Sequence, residues 1–121
     1  MGINVNGVMA FGIKLDEDQV YDIVGDFEDG EFEFFDSLFE SYEKPAKYEG
    51  LIDVYFGSYE FPTHVIAIKY IRADDWTCSV IHEKDLILSV EELKKIDILM
   101  NFCNEYNLKC EPEWYFGAQY G

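Results

Sequence analysis

The chain has 121 residues, 49 % of them hydrophobic, with ten Phe, nine Tyr and two Trp; that is the size of one domain and enough material for a core, which excludes a disordered acidic tail poor in aromatics. Twenty-five Asp and Glu against nine Lys and Arg leave a formal charge of −16. Such a surface repels nucleic acid and anionic membranes and attracts basic partners, so neither direct nucleic-acid binding nor membrane binding is expected.

The N-terminal stretch "MGINVNGVMAFGIKLDED" lacks the basic start and long apolar run of a secretion signal, and Asn6 stands where an N-myristoylation motif requires Ser or Thr. No stretch approaches the roughly 18 apolar residues that span a bilayer. Val8–Leu15 is short, apolar and bounded by Asn-Gly and an acid cluster, and reads as a mostly buried strand. Asp16 can cap a helix whose Val20, Ile23, Val24 and Phe27 share one face. Gly30 interrupts it, a second apolar set follows at Phe35, Leu38, Phe39 and Tyr42, and Pro45 closes the segment.

Two β-rich runs, Leu51–Phe56 and Thr63–Ile71, flank "GSYEFP" as a hairpin with a long turn. "WTCSVIHEKDLIL" reads as a short strand or an extended crossing. Ser89 and Glu92 form a capping box opening a helix that ends near Asn107, with Val90, Leu93, Ile96, Met100 and Cys103 expected inward. The last strand, "LKCEPEWYF", alternates Leu108, Cys110, Pro112, Trp114 and Phe116 on its inner side, and Pro112 makes it an edge or bulged strand. An exposed edge would also allow pairing with a second copy, a homodimer. The order strand, broken helix, strand, strand, helix, strand predicts a single α+β domain over residues 1–121. Its expected form is a two-layer sandwich with a ferredoxin-like β-α-β-β-α-β layout and a mostly antiparallel sheet.

Enzymatic signatures are absent from the pattern. Cys78, Cys103 and Cys110 are odd in number and have no CxxC spacing, which points to reduced, packed thiols in a cytoplasmic protein. His64 and His82 lie in separate extended segments with no clustered Cys, so a structural or surface role outweighs zinc or a Cys-His nucleophile. "DFEDGE" fails as a calcium loop: counted from Asp26, Gly30 falls at position 5 and Ser37 at position 12. "GAQYG" is followed by no helix that could cradle a phosphate. No catalytic residue, metal ligand or cofactor is assigned, and the protein is expected not to be an enzyme.

The segment "DEDQVYDIVGDFEDGEFEFFDSLFESYE" holds twelve acids and no Lys, Arg or His. They are Asp16, Glu17, Asp18, Asp22, Asp26, Glu28, Asp29, Glu31, Glu33, Asp36, Glu40 and Glu43. Exposed helices normally mix charge for i,i+4 support, and the repulsion left here costs a few tenths of a kcal/mol per close pair. The bland reading is a solvated coat that serves solubility. The sharper one is electrostatic mimicry. As one continuous helix the segment would run about 42 Å with one charge per roughly 3.5 Å, against one phosphate per about 3.4 Å in a DNA strand. These twelve residues are the candidate partner-binding site.

The hairpin "DVYFGSYEFPTHVIAIK" and the tail "EPEWYFGAQYG" resemble segments of small, acidic, functionally uncharacterised accessory proteins of phages and prophages. The resemblance covers the C-terminal half and carries no site residue. It implies a phage accessory protein in the host cytoplasm, a class in which inhibitors of host defence and acidic DNA mimics recur. The expected function is therefore a non-enzymatic inhibitor of a basic, nucleic-acid-binding host defence protein. The alternative is a regulatory or ligand-binding domain that binds through its aromatic C-terminal strand, where Trp114, Tyr115, Phe116 and Tyr120 otherwise read as packing.

Overall fold

The computed structural model describes residues 5–40, 44–73 and 78–120; Tyr42, Glu43 and the first two residues of "WTCSVIHEKDLIL" lie outside them. The fold is α+β. Strands β1 (Val5–Leu15), β2 (Ile52–Gly57), β3 (Pro62–Arg72) and β4 (Glu113–Tyr120) combine with helices α1 (Glu17–Val24), α2 (Glu31–Phe39) and α3 (Val90–Glu105). A 3-10 turn, Glu83–Leu86, stands where the sequence reads as a short strand or extended crossing.

Local chemistry sets the helix ends. Asp16 caps α1 by accepting from the Gln19 amide at 2.8 Å, while the Gln19 side chain accepts from the Asp16 amide at 2.9 Å. Gly25 then leaves helical geometry at φ 59°, and Gly30 re-enters it at φ 91°, both in the region that favours glycine. The acidic segment is thus two short helices joined by a turn rather than one rod, and the linear match to DNA phosphate spacing does not apply. Ser89 and Glu92 cap α3 reciprocally. At its other end Asn107 adopts φ 56°, and the Leu108 amide returns to the Cys103 carbonyl at 2.8 Å, a Schellman stop.

β1 pairs antiparallel with both β3 and β4, and β3 pairs antiparallel with β2. Where an open layer is expected, the sheet closes on itself: β2 meets β4 in a parallel bridge at Gly57 and Gln119. The Gln119 amide donates to the Tyr55 carbonyl at 3.0 Å and fastens the seam. Four strands enclose too little space for large side chains, and the interior is filled by Val8, Ala10, Val54, Val65 and Ala67. Gly12 is required there, because a Cβ would lie 2.0 Å from the Ile66 carbonyl oxygen. A bulge beside it, with Phe11 opposite Lys69 but Gly12 opposite Ala67, inserts Ile68 as the extra residue.

All three helices cover one outer face of this sheet. Ile13, Leu15, Ile66 and Ile68 from the strands meet Val20 and Ile23 of α1, Phe35 and Phe39 of α2, and Leu99, Phe102 and Cys103 of α3. β3 is therefore buried on both sides from His64 to Ile68. Aromatic rings bind the helices together, with Phe39 and Phe102 centroids 5.9 Å apart and Tyr48 on Phe102 at 5.4 Å.

Several side chains differ from the sequence reading. Phe27, expected in the core, is 39 % exposed in the turn. Of the α3 residues expected inward, Cys103 is buried and Ile96 half-buried, but Val90, Leu93 and Met100 are exposed, and Leu99 and Phe102 turn inward in their place. At about 100° per residue the two apolar stripes of α3 meet at Cys103 and diverge from there, and the one with the larger side chains to bury, Phe102 and Leu99, wins. In β4, Phe116 is 82 % exposed; Trp114 packs on Phe11 instead. β4 is no free edge, because β1 pairs it along its length and β2 meets its far end. The strand begins at Glu113, so Leu108 and Cys110 precede it and pack beneath α3.

Candidate functional site

Of the twelve candidate acids, eleven are described and Glu43 lies outside the described residues. Asp16, Glu17, Asp18 and Asp22 stand on and before α1, Asp26, Glu28 and Asp29 on the turn, and Glu31, Glu33, Asp36 and Glu40 on α2 and its C-cap; all but Glu31 are exposed. The structure therefore gathers them on one helical layer. Among the described residues only Glu31 approaches a basic group, the imidazole of His64. Among the described residues, Lys–carboxylate pairs lie elsewhere, at Lys47–Glu105, Lys69–Glu92, Lys94–Glu91 and Lys109–Glu111.

Helix electrostatics explain part of this placement. Glu17, Asp18, Glu31 and Glu33 occupy first turns, where the positive end of the helix dipole favours them. Asp36 and Glu40 are at the wrong end of α2, whose last turn has no basic residue. An exposed acid there opposes the dipole by about 0.3–1 kcal/mol. Helix stability does not account for those two.

A cavity of about 700 Å³ opens between the end of β1, α1, the 25–30 turn, the start of α2 and the β2–β3 connection, within the roughly 300–1,000 Å³ of small-ligand sites. Leu15, Val20 and Val24 form apolar wall, and Phe32 adds an aromatic one. Tyr21, Phe27, Tyr59 and Phe61 stand at its exposed margin. Phe32 packs on Tyr59 with centroids 4.8 Å apart, and Tyr59 on Tyr55 at 5.0 Å. Asp16, Glu17, Glu31 and Glu60 contribute carboxylates, against one cation, Lys14.

Beneath this wall β2 and β3 bring Asp53 and His64 together as diagonal neighbours across the ladder. His64 Nδ1 and Asp53 Oδ1 are hydrogen-bonded at 2.7 Å, with side chains 1 % and 2 % exposed. His64 Nε2 lies 3.3 Å from Glu31 Oε1 without the direction of a hydrogen bond, so it is an unpartnered buried atom. Phe32 and Phe35 cover the imidazole at 5.0 and 5.2 Å. Burial alone would lower the His64 pKa; the bond to Asp53, with Glu31 behind it, more than reverses this and holds it above its ordinary value. Burial raises the Asp53 carboxyl, opposed by His64. The arrangement places carboxylates on both sides of the imidazole and ties α2 to the sheet.

Periodicity reads this Asp53–His64–Glu31 set as three unrelated residues. Its one visible signal is Asp53 itself, a carboxylate inside the apolar run "LIDVYF". The cavity also had a signal, since Tyr59 and Phe61 are large aromatics in a turn that polar residues usually fill. Within the described residues no group of three or more His, Cys, Asp or Glu is placed to hold a metal. Cys78 is exposed and Cys103 buried; burial, together with contact to Cys110, pushes the Cys103 thiol up to about 12.

The chain matches no family model, no curated protein and no solved structure.

Proposed function

We propose that this is a non-enzymatic acidic protein that binds and sequesters a basic protein partner through α1, the following turn and α2. The observation that carries the reading is the set of ten exposed acids there, none of which makes a salt bridge to Lys or Arg among the described residues. Such a surface attracts a cationic groove at long range and competes with nucleic acid for it. Because α1 and α2 are separate helices, the mimicry is of a charged surface and not of one strand's phosphate spacing. The reading fits a phage-type inhibitor of a nucleic-acid-binding host defence protein, acting in the host cytoplasm. Among the described residues no helix is long and apolar enough to cross a membrane. We also read the layout as ferredoxin-like, with neighbours β4-β1-β3-β2 and the outer pair drawn together.

The test measures binding of a hexa-arginine peptide as salt is raised. Changing Asp22, Asp26, Glu33, Asp36 and Glu40 to their amides should lower affinity by about tenfold or more and flatten the salt dependence. The control Glu91→Gln with Asp97→Asn on α3 should leave both nearly unchanged. Equal losses from the two sets would reduce the charge to a solvated coat. One observation favours a second reading: Phe116, 82 % exposed on β4, offers an apolar anchor for a partner. Loss of partner binding in Phe116→Ser, with the acidic variant unaffected, would move the interface there.

A further inference from the structure

Resting on the basic-partner reading, we propose that the cavity between α1 and the β2–β3 connection is an anchor site for one arginine side chain of that partner. Three independent features meet there. The first is exposed aromatic area: Tyr21, Tyr59 and Phe61 are 72 %, 61 % and 78 % exposed at a cavity margin, where a cluster of exposed rings marks binding surface. The second is charge, with Glu31 and Glu60 among the carboxylates lining the same space. The third is an apolar wall, with Leu15, Val20 and Val24 lining the same recess.

Aromatic rings beside carboxylates in a half-apolar recess select a particular cation. A guanidinium stacks on ring faces, accepts loss of water more readily than an ammonium, and matches a carboxylate with two parallel N–H donors. A lysine ammonium has neither the plane nor the fork. The 700 Å³ volume leaves room for the arginine stem along Leu15, Val20 and Val24. Long-range attraction by the acids of α1 and α2 then supplies encounter, and the cavity supplies position.

The experiment is an amide-resolved NMR titration of the whole chain with three probes: acetyl-arginine amide, its neutral citrulline analogue, and hexa-arginine. Acetyl-arginine amide should shift the resonances of Tyr21, Phe32, Tyr59 and Phe61, and the citrulline analogue should not. Tyr59→Leu with Phe61→Leu keeps apolar bulk at two exposed positions and removes the rings. That pair should weaken hexa-arginine binding about fivefold while the melting transition stays cooperative and moves only slightly, through the lost Tyr59 contacts to Phe32 and Tyr55. Equal shifts from citrulline would overturn the proposal, because the site would then read only a flat polar group. Hexa-arginine that binds in a salt-sensitive way but ignores the leucine pair would overturn the anchor site and leave the basic-partner reading standing. Failure of hexa-arginine to bind at low salt would overturn that reading first and the anchor with it.

Discussion

The two helical halves of this protein handle negative charge in opposite ways. On α3, Glu92 faces Lys69, Glu91 faces Lys94, and Glu105 at the last turn meets Lys47 and the Tyr48 hydroxyl. On α1 and α2 the described acids outside Glu31 face water. Both halves rest on the same aromatic core, so packing is not the cause of the difference. Among the described residues, apart from the exposed Asp97, the acids of α3 are paired while those of α1 and α2 outside Glu31 are not, which is the contrast that the proposed partner-binding surface requires.

The largest effect should come from the shared core. Phe35→Ala under α2 and Phe102→Ala under α3 each remove a fully buried ring and should each cost about 3–5 kcal/mol in chemical denaturation. A much smaller loss at Phe35 would break the comparison, by showing that the acidic half is only loosely attached. Next, Asp53→Asn should cost about 1–3 kcal/mol, since it weakens a buried bond to His64 whose other nitrogen has no partner. No comparable fully buried charge underlies α3 among its described contacts, so Glu92→Gln, at a pair whose side chains are 19 % and 20 % exposed, should cost less than Asp53→Asn, about 1 kcal/mol.

The pH responses of the two halves should have opposite signs. His64 and Asp53 both titrate above their ordinary values in the folded protein, so the native state holds more protons than the unfolded one. Their contribution is complete below the ordinary values, and the melting temperature should fall as pH rises through the folded His64 value, above about 6.5. Asp53→Asn with His64→Gln should remove that slope. For Glu92, burial would raise the carboxyl, and the bonds from Ser89 and Lys69 more than reverse it; for Glu105, Lys47 and then Tyr48 hold it down. Those two contribute above the ordinary carboxyl value of about 4.3, and their share is lost as pH falls through their lower folded values. Melting curves of the single amide variants across both windows would separate the contributions.

The smallest effect is the most diagnostic. Asp36→Asn should raise stability by a few tenths of a kcal/mol, relieving repulsion and an unfavourable dipole contact. Glu91→Gln should lower it by a similar amount. Same-sign changes would erase the distinction between the halves.

Much of the local structure was legible because its causes are local. Asp16, Ser89 and Asn107 act within four residues of themselves, and each end they set appears where the pattern places it. The strands of the hairpin follow from β-branched runs. The inward side of α3 was not legible, because Val90, Leu93, Ile96, Ile98, Leu99, Met100, Phe102 and Cys103 put apolar groups at nearly every angle, and only the facing aromatics Phe39 and Tyr48 decide between them. Closure of the sheet depends on backbones approaching at Gly12 and Gly57, which no period reveals. The acids were all visible, but their division over two helices and their meeting with Tyr59 and Phe61 required the fold.

Closure of the sheet also dictates an order of events. β1 has β3 on one side and β4 on the other, and its pairing with β4 joins Val5 to Tyr120. During synthesis the first strand must therefore wait for nearly the whole chain before its second ladder can form. Pairings so distant in sequence carry a loop-closure cost before they return any stabilisation, and they make folding slower than that of a helical domain of the same length. Until β4 arrives, the β1 edge and the narrow Val and Ala interior are open together. The protein is thus built to be complete or not folded at all, and removing residues 113–120 should abolish the cooperative transition rather than shorten the domain by one strand.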